Sequence, residues 1–98
     1  MTVEVKKDGE KLIIIPEGRI DAVTANDFSK AIDDNIEGVK DLTFDFEKLE
    51  YISSAGLRVL LTAQKNMSKV GAMKLIHVAD VIMDVFNITG FSDILTIE

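Results

Sequence analysis

Residues 41–78 read DLTFDFEKLEYISSAGLRVLLTAQKNMSKVGAMKLIHV, and this stretch decides the fold. Leu42, Phe44 and Phe46 alternate with Thr43 and Asp45, which is the period of a strand, here at about 41–46. "EKLEYI" then reads as a short connection. From Ala55 to Val70 the period lengthens. Leu57, Leu60, Leu61 and Gln64 make one stripe, with Val59, Ala63, Met67 and Val70 beside it, as on a helix. Gly71 is a stop signal, and a second apolar strand follows at about 73–77. Strand, helix and strand in succession imply parallel pairing through a crossover.

Working outward, the same alternation continues in both directions. Val3 and Val5, then Leu12 to Ile15, give two strands at about 2–7 and 11–17, joined by the hairpin signal Asp8-Gly9. Pro16 has no N–H for a ladder and belongs near a strand end. Val23, Phe28, Ala31, Ile32 and Ile36 recur at helical spacing, which predicts a helix over 24–36, with Thr24 and Asp27 as a short capping box and Gly38 past its end. Asp80 caps a short third helix with Val81, Ile82, Val85 and Phe86 inward, and Gly90 ends it. "ILTIE" reads as a final strand. The predicted order is ββαβαβαβ: an α/β fold with a mixed, mostly parallel sheet and helices packed on it.

Composition narrows the function. The 98 residues suit one domain, 1–98, and 47 % hydrophobic with 29 % charged residues is the mixture of a folded soluble chain. A chain of this size buries roughly 60–70 % of its unfolded surface and needs no covalent staple. There is no cysteine, so disulfides and thiolate metal sites are excluded. One histidine and scattered carboxylates make no metal-ligand constellation in sequence, and no cofactor is expected. The net charge of −6 argues against nucleic acid and against an anionic membrane surface as partners. Neither a signal peptide nor a run of about 20 apolar residues is seen, so the expectation is a cytoplasmic protein without a membrane partner.

The serine pair Ser53-Ser54 is where chemistry enters. A cap on the helix explains one hydroxyl, because the first turn leaves backbone N–H groups unpaired. A nucleophile needs a base; the one histidine, His77, falls at a strand end, and no G-x-S-x-G elbow occurs, so an enzyme is not expected. A phosphate-binding loop fails for lack of G-x-x-x-x-G-K-[ST]. A covalent phosphate on a helix-start serine, by contrast, meets free N–H groups and the positive end of the helix dipole. A switch of surface charge that leaves the fold intact is therefore physically available.

"YISSAGLRVLL" at 51–61, "GRIDAVTANDF" at 18–28 and "VFNITGF" at 85–91 together resemble the STAS domain of bacterial anti-sigma factor antagonists, over nearly the whole chain. The resemblance implies a partner switch. The unphosphorylated domain binds an anti-sigma factor that is also a serine kinase, and the sigma factor goes free. Phosphorylation releases the antagonist, and a PP2C-type phosphatase resets it. Aligned on the Gly-Leu pair, the family's phosphorylated serine falls on Ser54, with Ser53 as the alternative acceptor. Asp21, Ser53, Ser54, Gly56 and Arg58 are the expected partner-binding residues. For Asp21 an Asx turn before Thr24 is an equal reading, and for Arg58 a solvated surface charge is the plainer one. Two other functions stay open: a STAS scaffold without a switch, and a small-ligand or nucleotide sensor using the helix start for an anion.

Overall fold

The computed structural model describes residues 1–98. The chain runs β1 (Thr2–Asp8), β2 (Lys11–Ile20), α1 (Ala25–Asp33), β3 (Asp41–Asp45), β4 (Leu49–Ile52), α2 (Ser54–Met67), β5 (Ala72–Ile76) and α3 (Asp80–Thr89), with a short 3-10 turn at Phe91–Asp93. The fold is mixed α/β, as expected. β1 and β2 form an antiparallel hairpin from Thr2↔Glu17 to Asp8↔Lys11. Its two-residue turn starts at Gly9, whose φ of +60° suits the first central position of such a turn. β2 pairs parallel with β3, and β3 with β5.

Register explains the core. Leu12, Leu42 and Met73 stand in one row, and Ile14, Phe44 and Leu75 in the next, so all six project from one face. All six belong to one buried cluster of 21 residues. α1 contributes Phe28 and Ile32, each worth about 1.5–3 kcal/mol when fully buried. Phe28 lies against Phe44 with ring centroids 5.5 Å apart, and Phe46 continues the aromatic contact at 6.0 Å. α2 adds Leu57, Leu60, Ala63 and Met67, and α3 adds Ile82 and Phe86.

Several boundaries differ from the sequence reading. The expected connection 47–52 contains a strand, β4, pairing parallel with the far end of β2 through Gly18↔Leu49 and Ile20↔Ile52. Its pattern is two buried ends around exposed Glu50 and Tyr51, so no alternation marks it. The final strand shrinks to one bridge, Leu75↔Ile97. The chain turns through Phe91–Asp93 and buries Leu95 before it reaches β5.

α1 stops at Asp33 rather than Ile36, and α2 at Met67 rather than Val70. Val23 and Val81, expected inward, are 82 % and 61 % exposed. α3 has Ala79 at its N-cap, and Asp80 is its first residue. Gly71 is required where it stands: a Cβ there would meet the Lys40 carbonyl, which already accepts the Ala72 N–H at 2.9 Å.

Candidate functional site

β2 and β4 end side by side, at Ile20 and Ile52, and the residues that follow them meet. The Ser53 N–H donates to the Ile20 carbonyl at 2.8 Å. Asp21 and Ser53 therefore share the C-terminal edge of the parallel strands, the side on which open α/β sheets present ligand-contacting groups.

Ser53 occupies the N-cap of α2 with extended backbone, φ −94° and ψ 176°. Its carbonyl accepts the first helical bond, from the Leu57 N–H at 2.9 Å. Its hydroxyl, however, makes no capping bond; it is buried and has no partner. Ser53 is thus the helix-entry residue through its backbone and not through its side chain. The first-turn N–H groups of α2 keep their unpaired character, and no acidic side chain stands in that turn. Ser54, the first helical residue, is exposed there.

Asp21 adopts the Asx turn. Its Oδ1 accepts the N–H groups of Val23 at 2.9 Å and Thr24 at 3.0 Å. The bond from the Thr24 N–H is the main reason its carboxyl is held below the ordinary range. Thr24 consequently does not build the expected capping box: its hydroxyl accepts the Asp21 N–H at 2.9 Å and donates to the Arg19 carbonyl at 2.8 Å. The start of α1 is held from upstream instead, with the Asp21 carbonyl accepting the Ala25 N–H at 2.8 Å.

Gly56 is buried, and a Cβ on it would stand 2.7 Å from Ile20 Cγ2 and 2.7 Å from Ile52 Cγ1. It lets α2 lie against the ends of β2 and β4. Of the expected partner-binding residues it is the one with no surface to offer; its part is to seat the helix. Arg58 is exposed and makes no ion pair. It lies on the rim of a groove of about 270 Å³ between α1 and α2, with Ser29, Asp33 and Thr62.

Two neighbours escaped the sequence reading. Arg19 and Tyr51 face each other across β2 and β4, with the guanidinium carbon 4.3 Å from the ring centroid. Both lie inside the quoted motifs, but nothing in their spacing pairs them until β4 is known. The lone histidine lies just beyond β5, in left-handed backbone with φ +56°, and is exposed. Its Nδ1 lies 2.9 Å from Asp45 Oδ1, and that bond raises its pKa. Asp45, Glu47 and His77 bring ligand-type atoms within 4.8 Å of one another, a grouping that sequence spacing did not reveal.

The family model for the STAS domain matches residues 2–98. The chain belongs to the STAS domain family. An anti-sigma-B factor antagonist of Listeria monocytogenes is 31 % identical to this STAS domain over 103 residues, spanning 100 % of this chain and 89 % of the relative. Among solved structures, an anti-sigma factor antagonist from Mycobacterium paratuberculosis superposes with TM-score 0.88 at 21 % identity, covering 98 % of this chain and 83 % of the other. The Bacillus cell fate determinant SpoIIAA in its phosphorylated form gives TM-score 0.76 at 19 % identity, covering 99 % and 91 %. At those identities the structural matches speak for the fold. The expected α/β STAS fold is met, with β4 added and the final strand reduced to one bridge.

Proposed function

We propose that this STAS domain is an anti-sigma factor antagonist switched by phosphorylation of Ser54. Unphosphorylated, it binds an anti-sigma factor with serine kinase activity and thereby frees the sigma factor. The kinase transfers a phosphoryl group from ATP to Ser54 Oγ, the hydroxyl proton leaves, and the complex separates. A PP2C-type phosphatase hydrolyses the ester and restores binding. The domain catalyses none of these steps and holds no cofactor; it works in the cytoplasm, away from nucleic acid and membrane. No helix is long and apolar enough to cross a membrane.

The observation that carries the switch is the position of Ser54: exposed, first in α2, at a helix start with neither a side-chain cap nor a carboxylate in the first turn. A phosphate of roughly −1.5 to −2 charge is tolerated there by the helix dipole and the free N–H groups. The fold stays, and the surface changes. A hundredfold loss of affinity needs only about 2.7 kcal/mol. An unpaired phosphate buried in an interface, or set against acidic groups, supplies that. Asp21 and Arg58, with the Arg19–Tyr51 pair, are the side chains this reading assigns to the contact surface; Ser53 and Gly56 seat the acceptor through backbone and close packing.

The test uses the cognate kinase with ATP and maps the phosphate by mass spectrometry. Label on Ser54, abolished in Ser54→Ala, with weaker kinase binding by Ser54→Asp, is the expected result. Label on Ser53 moves the switch by one residue. Label elsewhere, or unchanged binding after stoichiometric phosphorylation, removes it.

A further inference from the structure

We propose that Asp45, Glu47 and His77 form a binding site for a divalent transition-metal ion of the zinc class. This does not depend on the phosphoswitch. β3 pairs with β2 only up to Ile14, whereas the serine edge begins beyond Ile20, so the two sites stand at different levels of the sheet.

The backbone on both sides of the site is fixed. Asp45 is the last residue of β3 and pairs with Ile76, and the next N–H, of Phe46, donates to the Ile76 carbonyl at 3.0 Å. His77 follows directly. Its Nδ1 and Asp45 Oδ1 stand 2.9 Å apart, and all three donors lie within 4.8 Å. Two donors on one zinc ion lie roughly 3–4 Å apart, given bonds of about 2.0–2.2 Å. The strand-held pair is thus nearly at ligand spacing. Glu47, on the turn after β3, has the side-chain length to close the remainder. The Glu47 N–H donates to Asp45 Oδ1 at 3.1 Å, which orients that carboxylate from behind.

The donor set chooses the ion. One imidazole with two carboxylates suits zinc and its neighbours, whereas magnesium and calcium favour oxygen alone. Metal at Nδ1 displaces any proton held there: the imidazolium gives it to the buffer, and the neutral ring carries its single proton on Nε2. Solvent-facing His77 leaves the remaining coordination positions to water. Glu17, Glu50 and Lys48 line the cleft that Glu47 borders, so its charge is negative on balance.

The experiment titrates Zn²⁺ into the untagged, chelator-stripped full chain and follows the His77 ring resonances by NMR, with Mg²⁺ as control. The expected result is saturation at one ion per chain with the His77 ring as reporter and no response to Mg²⁺. Glu47→Gln and His77→Asn, each with an unchanged circular dichroism spectrum, should weaken binding by roughly tenfold or more. Asparagine is chosen because it tolerates the left-handed backbone. Absence of saturation, equal response to Mg²⁺, or unchanged affinity in both variants overturns the site.

Discussion

Gly56→Ala tests how the acceptor serine is held. In an exposed helix interior this change stabilises by about 0.8–1 kcal/mol, because alanine is the better helix former. Here the new methyl carbon would lie 2.7 Å from both Ile20 Cγ2 and Ile52 Cγ1. Those atoms sit on β-branched side chains, stiff about χ1 and buried at strand ends, so neither swings aside freely. Overpacking of this kind costs about 1–3 kcal/mol. The propensity gain offsets part of that, leaving a net loss of up to about 2 kcal/mol. For a domain of 98 residues, this corresponds to a fall in Tm of up to roughly 16 °C. Thermal and urea unfolding followed by circular dichroism measure it. A variant at least as stable as the parent would refute the wedge argument.

Three further outcomes follow from the same edge of the sheet. Ser53→Ala removes a buried hydroxyl that has no partner, so stability should hold or rise slightly; a loss near 1 kcal/mol in urea unfolding would mean that the hydroxyl caps after all. Asp21→Ala takes away the acceptor of two N–H bonds and should lower the urea midpoint of unfolding. Because the Asp21 pKa is lowered from 3.8, its contribution is present above that value and is lost as pH falls through the folded pKa. The parent's acid sensitivity should accordingly be reduced in the variant. The His77 pKa is raised above 6.5 by Asp45, so its pair stabilises below that pH and fades as pH rises through the folded value. In metal-free buffer, NMR titration of His77 should give a midpoint above 6.5 that drops in Asp45→Asn; an unmoved midpoint would assign the shift to something other than the carboxylate.

Most of the fold was legible because local period and packing agree. Leu42, Phe44 and Phe46 alternate and are buried; of the expected α2 stripe and its neighbours Leu57, Leu60, Ala63 and Met67 are buried, Val59, Leu61 and Gln64 half-buried, and Val70, beyond the helix end, exposed. β4 was not legible, since only Leu49 and Ile52 of its four residues are buried and neither has a period-2 partner. The last strand misled in the opposite sense: "ILTIE" alternates, but only Ile97 has room to bridge β5. Val23 and Val81 have apolar side chains at helical spacing and still face solvent, because the helices start later or rotate away from them.

The serines were legible as a helix start. Their adjacency to Asp21 and the Arg19–Tyr51 pair was not, because it depends on β4 pairing with β2. Likewise Asp45 and His77 are 32 residues apart and meet only through the β3–β5 register.

The seating of the first turn of α2 has a consequence for time. Ser53 is tied by its N–H to Ile20 and by its carbonyl to Leu57, and Gly56 is wedged below. A group added to Ser54 therefore meets a surface that has nothing to rearrange. Under the proposed switch, no microsecond-to-millisecond conformational step intervenes between modification and its reading. The response is paced by the enzymes that write and erase the phosphate and by the dwell time of the bound partner, while the domain itself adds no delay.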